Sequence, residues 1–425
     1  MKRELNRRPV SLFAFLFLIF LLPPNFILLE LSIFSGLNYN LYLIIIIGYI
    51  FLKYFPRFNF FLNLPKSTII ILNLYFLLLF YFFITPPFVY SESYFLFKSY
   101  SVIFKNLLIG IICFVIIVNS KVSIISLSKS LVNIAFVYSL LAIILYFGFI
   151  LGFIKLKSTY HSAINEVFSR GYFFGYLNYI SSTGIPRSQS WFTEASQFGQ
   201  FLMMPFFLSL YSFLSQKTTK SGFKFIMIAI AFITTFSLAN FYGVFFSLVI
   251  FFMVSATYKK RGSLIFNILI SSIAIGAIIY SGYILYEKSN TTVGTYVISK
   301  QTDEHIQDRQ DRISFAFGIL DDNPFGDISL RESSGNYIAK NRTALGNIAI
   351  NGGYFGTFIT VILLFSIFFF YFKTYKYNLS GINMYYYIGF LGFFIAHWWY
   401  GDWASYVFLI NTGILYKIGL QTEFR

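Results

Sequence analysis

Two charged residues stand just ahead of a long apolar run in the stretch "IPRSQSWFTEASQFGQFLMMPFFLSL", residues 185–210. Arg187 and Glu194 are seven positions apart, which is two helical turns, so a helix that begins near Arg187 would present both side chains on one face. A carboxylate next to hydrocarbon is costly enough to indicate function. The alternatives are an arginine that snorkels to the interface and a glutamate that caps the following helix.

A second charged cluster occurs in "DEHIQDRQDRISFAFGILDDNPFG". Arg309 and Arg312 are three apart and share one helix face, and paired guanidinium groups suit phosphate because each offers a planar fork of donors. Asp308 and Asp311 alternate with them, so salt bridges within the cluster are an equally good explanation. The apolar residues that follow recur at helical spacing and predict a short amphipathic helix ending at Asn323-Pro324; they are Phe315, Ile319 and Leu320.

The composition is that of a polytopic membrane protein. The chain has 425 residues, of which 57% are hydrophobic and 11% charged, and its mean hydropathy is +0.70. A soluble domain of this size needs more polar cover. The single cysteine, Cys113, excludes an internal disulfide framework and a cysteine-based zinc site.

The apolar runs predict an all-α protein with about twelve membrane helices in one domain spanning residues 1–425. Two longer segments, 155–192 and 286–346, are expected as extended loops on one face. The predicted helices are 11–33, 38–55, 67–87, 100–119, 132–154, 193–214, 223–239, 241–257, 263–285, 347–372, 382–400 and 404–420.

The formal net charge of +16 comes from 32 basic and 16 acidic residues. Most of the basic residues fall in alternate connecting loops, so the positive-inside rule predicts that both termini are cytoplasmic and that the two long loops face outward. The positive charge is therefore explained by topology, and nucleic-acid binding is not expected.

These patches together resemble the O-antigen polymerase and ligase superfamily of membrane glycosyltransferases. "PRSQSWFTEASQFGQFL" resembles the family pattern of an arginine, an aromatic residue, a glutamate and then a helix. The segment from Arg309 to "NPFG" resembles the pattern of an arginine before a helix that ends in an apolar–Pro–apolar–Gly turn. "INGGYFGTF" resembles the glycine-punctuated segment that closes the large loop, and "FSLANFYG", around Ser237, is a weaker match.

Ligases of this superfamily carry a His-Asn pair shortly before the closing glycines. Here the corresponding stretch reads Lys340-Asn341-Arg342, and the loop's histidine, His305, lies upstream of Arg309. The resemblance therefore favours the polymerase branch, with the ligase branch as an alternative.

The resemblance implies a GT-C-like enzyme in the bacterial inner membrane, with both termini cytoplasmic and its active site facing the periplasm. The donor and acceptor would be undecaprenyl-diphosphate-linked glycans, with membrane lipid around the helices and a chain-length regulator protein as a possible partner. No cofactor or metal is expected. Cationic side chains would stabilise the diphosphate, first Arg187, Arg309 and Arg312, and then Arg342 and Lys340. A general base would take the proton of the attacking hydroxyl. The first candidate for this base is Glu194, followed by Asp308, Asp311 and His305.

Other interpretations remain open at this point. The acidic residues Asp321, Asp322 and Asp327 could bind a divalent cation, although a solvated turn is the preferred explanation. "HWWYGDWASY" reads most simply as an aromatic belt, with His397 and Asp402 as weaker candidates for a sugar site. A lipid-linked oligosaccharide flippase also has about twelve helices. Such a transporter is expected to have short loops and charged residues deep in the helix bundle, whereas this chain has few deep charges and the long loop 286–346. A membrane acyltransferase is the third alternative.

Overall fold

A computed structural model of the chain is mostly helical. It describes residues 66–89, 94–119, 123–155, 157–161, 167–170, 176–179, 186–190, 192, 194–259, 314, 317–318, 320–321, 324–326, 344–375, 377–378, 381–399 and 406–423.

Helices lie at the nine predicted positions within these described ranges. The predicted helices 11–33, 38–55 and 263–285 lie outside them. The helices are α1 (Lys66–Val89), α2 (Tyr94–Asn119), α3 (Ile124–Ile150), α4 (Ala195–Gln216), α5 (Thr219–Ile233), α6 (Leu238–Lys259), α7 (Ala344–Tyr375), α8 (Gly381–Trp399) and α9 (Tyr406–Glu423).

Four of the described helices are long and apolar enough to cross a membrane: Lys66–Ile84, Ile124–Ile150, Ala195–Gln216 and Gly352–Tyr375. Their outward faces carry large apolar side chains that no described residue covers. Phe365 and Phe369 on α7 are 70% and 72% exposed. Rows of exposed phenylalanine on a long helix are typical of a lipid-facing surface.

Neighbouring helices pack against each other through aromatic side chains and through glycines. Phe370 of α7 stacks on Tyr416 of α9 with 3.8 Å between ring centroids. Between α6 and α8, a Cβ added at Gly243 would lie 2.5 Å from the backbone oxygen of Gly392. Only glycine allows two backbones to approach this closely.

The first predicted outer loop contains a four-stranded antiparallel sheet, which corrects the all-α prediction for this segment. Its strands are consecutive in space as in sequence. They are β1 (Lys157–His161), β2 (Val167–Arg170), β3 (Tyr176–Tyr179) and β4 (Pro186–Ser190). Strands of four or five residues with mixed polar side chains show little alternation, and their pairing depends on contacts between separate segments.

The two ends of the helix bundle differ in chemistry. α3 and α5 both run toward β4. Ser190 of β4 bonds to Tyr138 of α3, and Ser188 of β4 bonds to Thr234, the residue after α5. α4 begins beside β4, and α8 ends there, where His397 meets Gln200. We call this the sheet end. The opposite end, the lysine end, carries Lys129, Lys217, Lys220, Lys224 and Lys373.

Candidate functional site

The segment that carries Arg187 and Glu194 is a strand followed by a turn, and not one continuous helix. Arg187 lies on β4 opposite Asn178 of β3, and α4 begins only at Ala195. Pro186 and the ladder with β3 hold the chain extended, and Ser190 ends the strand with a φ of 51°. The helix therefore does not begin near Arg187, which was the condition for the two side chains to share one helix face.

The polar side chains of β4 are buried and hydrogen-bonded. The Ser188 amide donates to the Thr234 carbonyl at 2.9 Å, and Thr234 Oγ1 donates to Ser188 Oγ at 2.9 Å. Ser190 Oγ donates to the Tyr138 carbonyl of α3 at 3.2 Å. Because buried polar groups without partners are costly, these bonds fix the strand in one position against the helices.

Arg187 is half-buried, and one of its three nitrogens is bonded to the turn between α5 and α6. Its Nε donates to the Thr235 carbonyl at 2.8 Å. That carbonyl lies just beyond the C-terminus of α5, where a positive charge is favourable. Within the described part of the chain, the terminal nitrogens of Arg187 have no hydrogen-bond partner. The guanidinium is thus oriented through Nε while its two-nitrogen fork remains available for an anion.

Glu194 occupies the N-cap position of α4, with an extended backbone (φ −145°, ψ 146°), but its side chain makes no capping bond to the helix amides. Instead its Oε2 accepts a hydrogen bond from Ser196 Oγ at 3.2 Å. The side chain is half-buried. The carboxylate therefore lies at the N-terminus of α4, where the helix dipole favours a negative charge, without a side-chain bond to the helix amides.

Asn240 links the "FSLANFYG" patch to the first turn of α4. It is fully buried, and its Nδ2 donates to the Ser196 carbonyl at 3.0 Å. Gly199 makes room for this contact, since a Cβ there would lie 2.9 Å from Asn240 Cγ and closer still to Nδ2. The residue that donates to Glu194 is therefore itself positioned by α6.

His397 lies in the core at the sheet end. It is 3% exposed and stacks between Phe393 and Phe408, with ring centroids 5.1 and 5.2 Å apart. Its Nδ1 lies 3.3 Å from Gln200 Oε1, and Gln200 Nε2 donates to the Ala396 carbonyl. This burial makes His397 a packing residue between α4, α8 and α9. The weaker suggestion that His397 lines a sugar site is not supported. Asp402 lies outside the described residues.

Two further patches, "NPFG" and "INGG", meet directly. The backbone is helical at Ser314, Phe317, Gly318, Leu320 and Asp321, as the predicted short helix requires. The following turn, residues 324–326, docks on α7: the Tyr354 amide donates to the Pro324 carbonyl at 2.9 Å. We call residues 320–321 and 324–326, with their contacts to α1 and α7, the loop staple.

The loop staple has three further contacts. Leu320 is buried against Ala349 and Ile350. Tyr354 OH donates to Asp321 Oδ1 at 2.5 Å. Tyr81 OH of α1 donates to the Phe325 carbonyl at 3.1 Å. Asp321 is thus an exposed hydrogen-bond acceptor at the edge of the staple.

Gly353 is the residue that makes the loop staple possible. Its φ of 60° and ψ of −159° interrupt α7 in a region that only glycine adopts readily. A Cβ at this position would lie 2.6 Å from the Gly326 nitrogen and closer still to the Pro324 carbonyl oxygen. The turn therefore docks where a side chain would otherwise be.

The remaining predicted site residues lie outside the described part of the chain, so the predicted proximity of Arg187 to the loop arginines stays a prediction. These residues are Arg309, Arg312, Arg342, Lys340, Asp308, Asp311 and His305. Among the described residues, no group of three or more histidine, cysteine or acidic side chains could hold a metal ion.

Several residues of the site were not predicted from sequence. Thr234 and Thr235 fall inside the segment predicted as helix 223–239, yet α5 ends at Ile233 and they form the turn that bonds to β4. Two adjacent threonines in an apolar run could have indicated that the helix ends there, because their hydroxyls compete with the helix for backbone partners. Asn240 and Gln200 gave a similar signal as amides in apolar runs.

Comparison with known proteins gives no assignment. No family model matches the chain, and no curated protein matches it significantly.

Proposed function

We propose that this chain is a membrane glycosyltransferase of the O-antigen polymerase type, joining undecaprenyl-diphosphate-linked oligosaccharide repeats at the periplasmic face of a bacterial inner membrane. The observation that carries the proposal is Arg187. Its guanidinium is half-buried at the sheet end and held through Nε by the Thr235 carbonyl. A guanidinium that is oriented through Nε, and whose terminal nitrogens have no partner among the described residues, suits a lipid-linked diphosphate.

In the proposed reaction, a hydroxyl oxygen of the acceptor sugar attacks the anomeric carbon of the donor glycan. The new glycosidic bond forms as the bond from that carbon to the diphosphate oxygen breaks, and its electron pair leaves with undecaprenyl diphosphate. Arg187 stabilises the developing charge together with Arg309 and Arg312, with Arg342 and Lys340 as further cations. Preorganised cations act most strongly in a site that is shielded from water.

Glu194 is the proposed general base that takes the proton of the attacking hydroxyl. Its carboxylate is half-buried at the start of α4 and accepts a hydrogen bond from Ser196 Oγ, which orients it at the sheet end. A positioned base contributes about 10²–10⁴ to the rate. The alternative role is to orient an arginine, and Asp308, Asp311 and His305 are then the remaining candidates for the base.

The proposed architecture has twelve membrane spans and a GT-C-like arrangement, with both termini in the cytoplasm and both long loops in the periplasm. The separation of charge along the helices supports this orientation. Lys129, Lys217, Lys220, Lys224 and Lys373 lie at one end of the bundle, while Arg187 and Glu194 lie at the other. The positive-inside rule places a lysine-rich end in the cytoplasm.

A ligase of the same superfamily and a lipid-linked oligosaccharide flippase are the alternatives. The ligase differs in its acceptor and not in its chemistry. The loop staple argues against the flippase. Residues 320–321 and 324–326 are tied to both α1 and α7 by hydrogen bonds and by burial of Leu320, whereas alternating access requires the surfaces around the substrate to separate.

Deletion of the gene in its host, followed by gel analysis of the surface glycan, tests the proposal. A polymerase mutant retains glycan that carries a single repeat and loses the ladder of longer chains. Loss of every repeat, including the first, would instead identify a ligase or a flippase. An unchanged ladder would contradict all three functions.

A further inference from the structure

The lysine end has a groove between α3 and α5 that concentrates positive charge. Lys224 of α5 is half-buried there, with its Nζ bonded to Asn133 Oδ1 of α3 and 5.9 Å from the centroid of the Phe136 ring. One turn earlier on α5 is Lys220, and one turn before Asn133 on α3 is Lys129; both are exposed. Three ammonium groups therefore lie along two adjacent helices.

This arrangement is electrostatically unfavourable in the protein alone. α3 and α5 run in the same direction and both begin at this end, so their positive dipole ends lie side by side. Neither helix has an acidic residue in its first turn. Lys220 and Lys224 are like charges at i and i+4, which repel. In the described part of the chain, no carboxylate is paired with any of the three lysines.

Apolar side chains flank the same groove. Phe223, next to Lys224 on α5, is 52% exposed and contacts Phe136 with 5.8 Å between ring centroids. Val137 on α3, one turn after Asn133, is 38% exposed. A ligand that satisfies both features must carry negative charge at one end and hydrocarbon at the other.

We propose that the groove between α3 and α5 binds an anionic phospholipid, with the phosphodiester at Lys129, Lys220 and Lys224 and the acyl chains along Phe223 and Val137. The lysines and the two helix N-termini supply the charge that a phosphate requires. The exposed apolar face distinguishes a lipid from free inorganic phosphate. The proposal is independent of the reaction at the sheet end.

The test is native mass spectrometry of the full-length protein in neutral detergent, titrated with phosphatidylglycerol or with phosphatidylcholine. Wild-type protein is expected to retain phosphatidylglycerol in preference to phosphatidylcholine. Lys220→Gln and Lys224→Gln are each expected to weaken phosphatidylglycerol binding about fivefold, and the double variant about 25-fold, from the typical contribution of one lysine near an anionic lipid. Lys220 is exposed, so its replacement leaves packing intact.

Lys66→Gln is the matched control, because Lys66 is also an exposed lysine at the start of a helix but belongs to α1. It should bind phosphatidylglycerol like the wild type. Equal affinity of the double variant and the wild type would overturn the proposal, as would equal retention of phosphatidylcholine. Competition by inorganic phosphate at the same concentration as the lipid would show a simple anion site and would overturn the assignment to a lipid.

Discussion

Replacement of Gly353 by alanine is predicted to undock the loop staple. The backbone conformation at Gly353 costs a residue with a side chain about 1–3 kcal/mol. The new methyl group would also lie 2.6 Å from the Gly326 nitrogen, so the turn must move. Movement breaks the Tyr354–Pro324 and Tyr81–Phe325 hydrogen bonds, each worth about 1 kcal/mol. Together these contributions favour the undocked staple by about 3–5 kcal/mol.

The assay uses a cysteine at Leu320 as a reporter. Leu320 is 1% exposed in the docked staple, and the chain's own cysteine, Cys113, is buried. Maleimide labelling of Leu320→Cys should therefore proceed through rare opening of the staple. A shift of about 3 kcal/mol, the lower end of the expected effect, raises the open population, and hence the labelling rate, on the order of 100-fold.

Gly352→Ala in the same reporter background is the matched control. Gly352 is the adjacent residue, and its added Cβ would meet Phe82 at 3.5 Å, an ordinary contact. Labelling in this variant should stay within about twofold of the reporter alone, since such a substitution adds no strain. If Gly353→Ala and Gly352→Ala label at the same rate, the role assigned to Gly353 is wrong.

Two further predictions concern the sheet end. Glu194→Gln keeps the size of the side chain but removes the base, so polymerisation by purified protein should fall about 10²–10⁴-fold while protein yield is unchanged; a rate within threefold of wild type would exclude Glu194 as the base. Gly199→Ala places a methyl 2.9 Å from Asn240 Cγ and should lower stability by about 1–3 kcal/mol through overpacking, seen as earlier thermal aggregation. Gly318→Ala, whose methyl meets no described residue within 4 Å, should aggregate at the wild-type temperature.

The helix positions in the described part of the chain follow from apolar run length, but the ends are less well predicted: α3 spans Ile124–Ile150 and was predicted as 132–154. Lys66–Val89 was predicted as 67–87 and Ala195–Gln216 as 193–214, because a long apolar segment satisfies its backbone only within itself. The four strands were missed. Each is short, and each is stabilised by neighbouring strands rather than by its own side-chain pattern, as the pairing of Asn178 with Arg187 illustrates.

The candidate site was predictable by residue type and not by geometry. Arg187 and Glu194 stood out because charge is scarce in this chain, but sequence inspection did not reveal that Arg187 lies on a strand paired with β3. The docking of residues 324–326 on Gly353 links segments far apart in sequence. Glycine and proline residues indicated that both segments have unusual backbone conformations, but the sequence did not show that the two segments are in contact.

The proposed function depends on the binding of a lipid-linked diphosphate by Arg187. Its most direct test is chain extension by purified protein in liposomes that contain undecaprenyl-diphosphate-linked repeat units, with the products separated on a gel. The wild type should produce a ladder, and Arg187→Lys, which keeps the charge but loses the planar fork and the Nε bond to Thr235, should extend chains about 10²-fold more slowly. Arg187→Ala should yield no ladder at an equal amount of folded protein; a ladder equal to that of the wild type would contradict the claim.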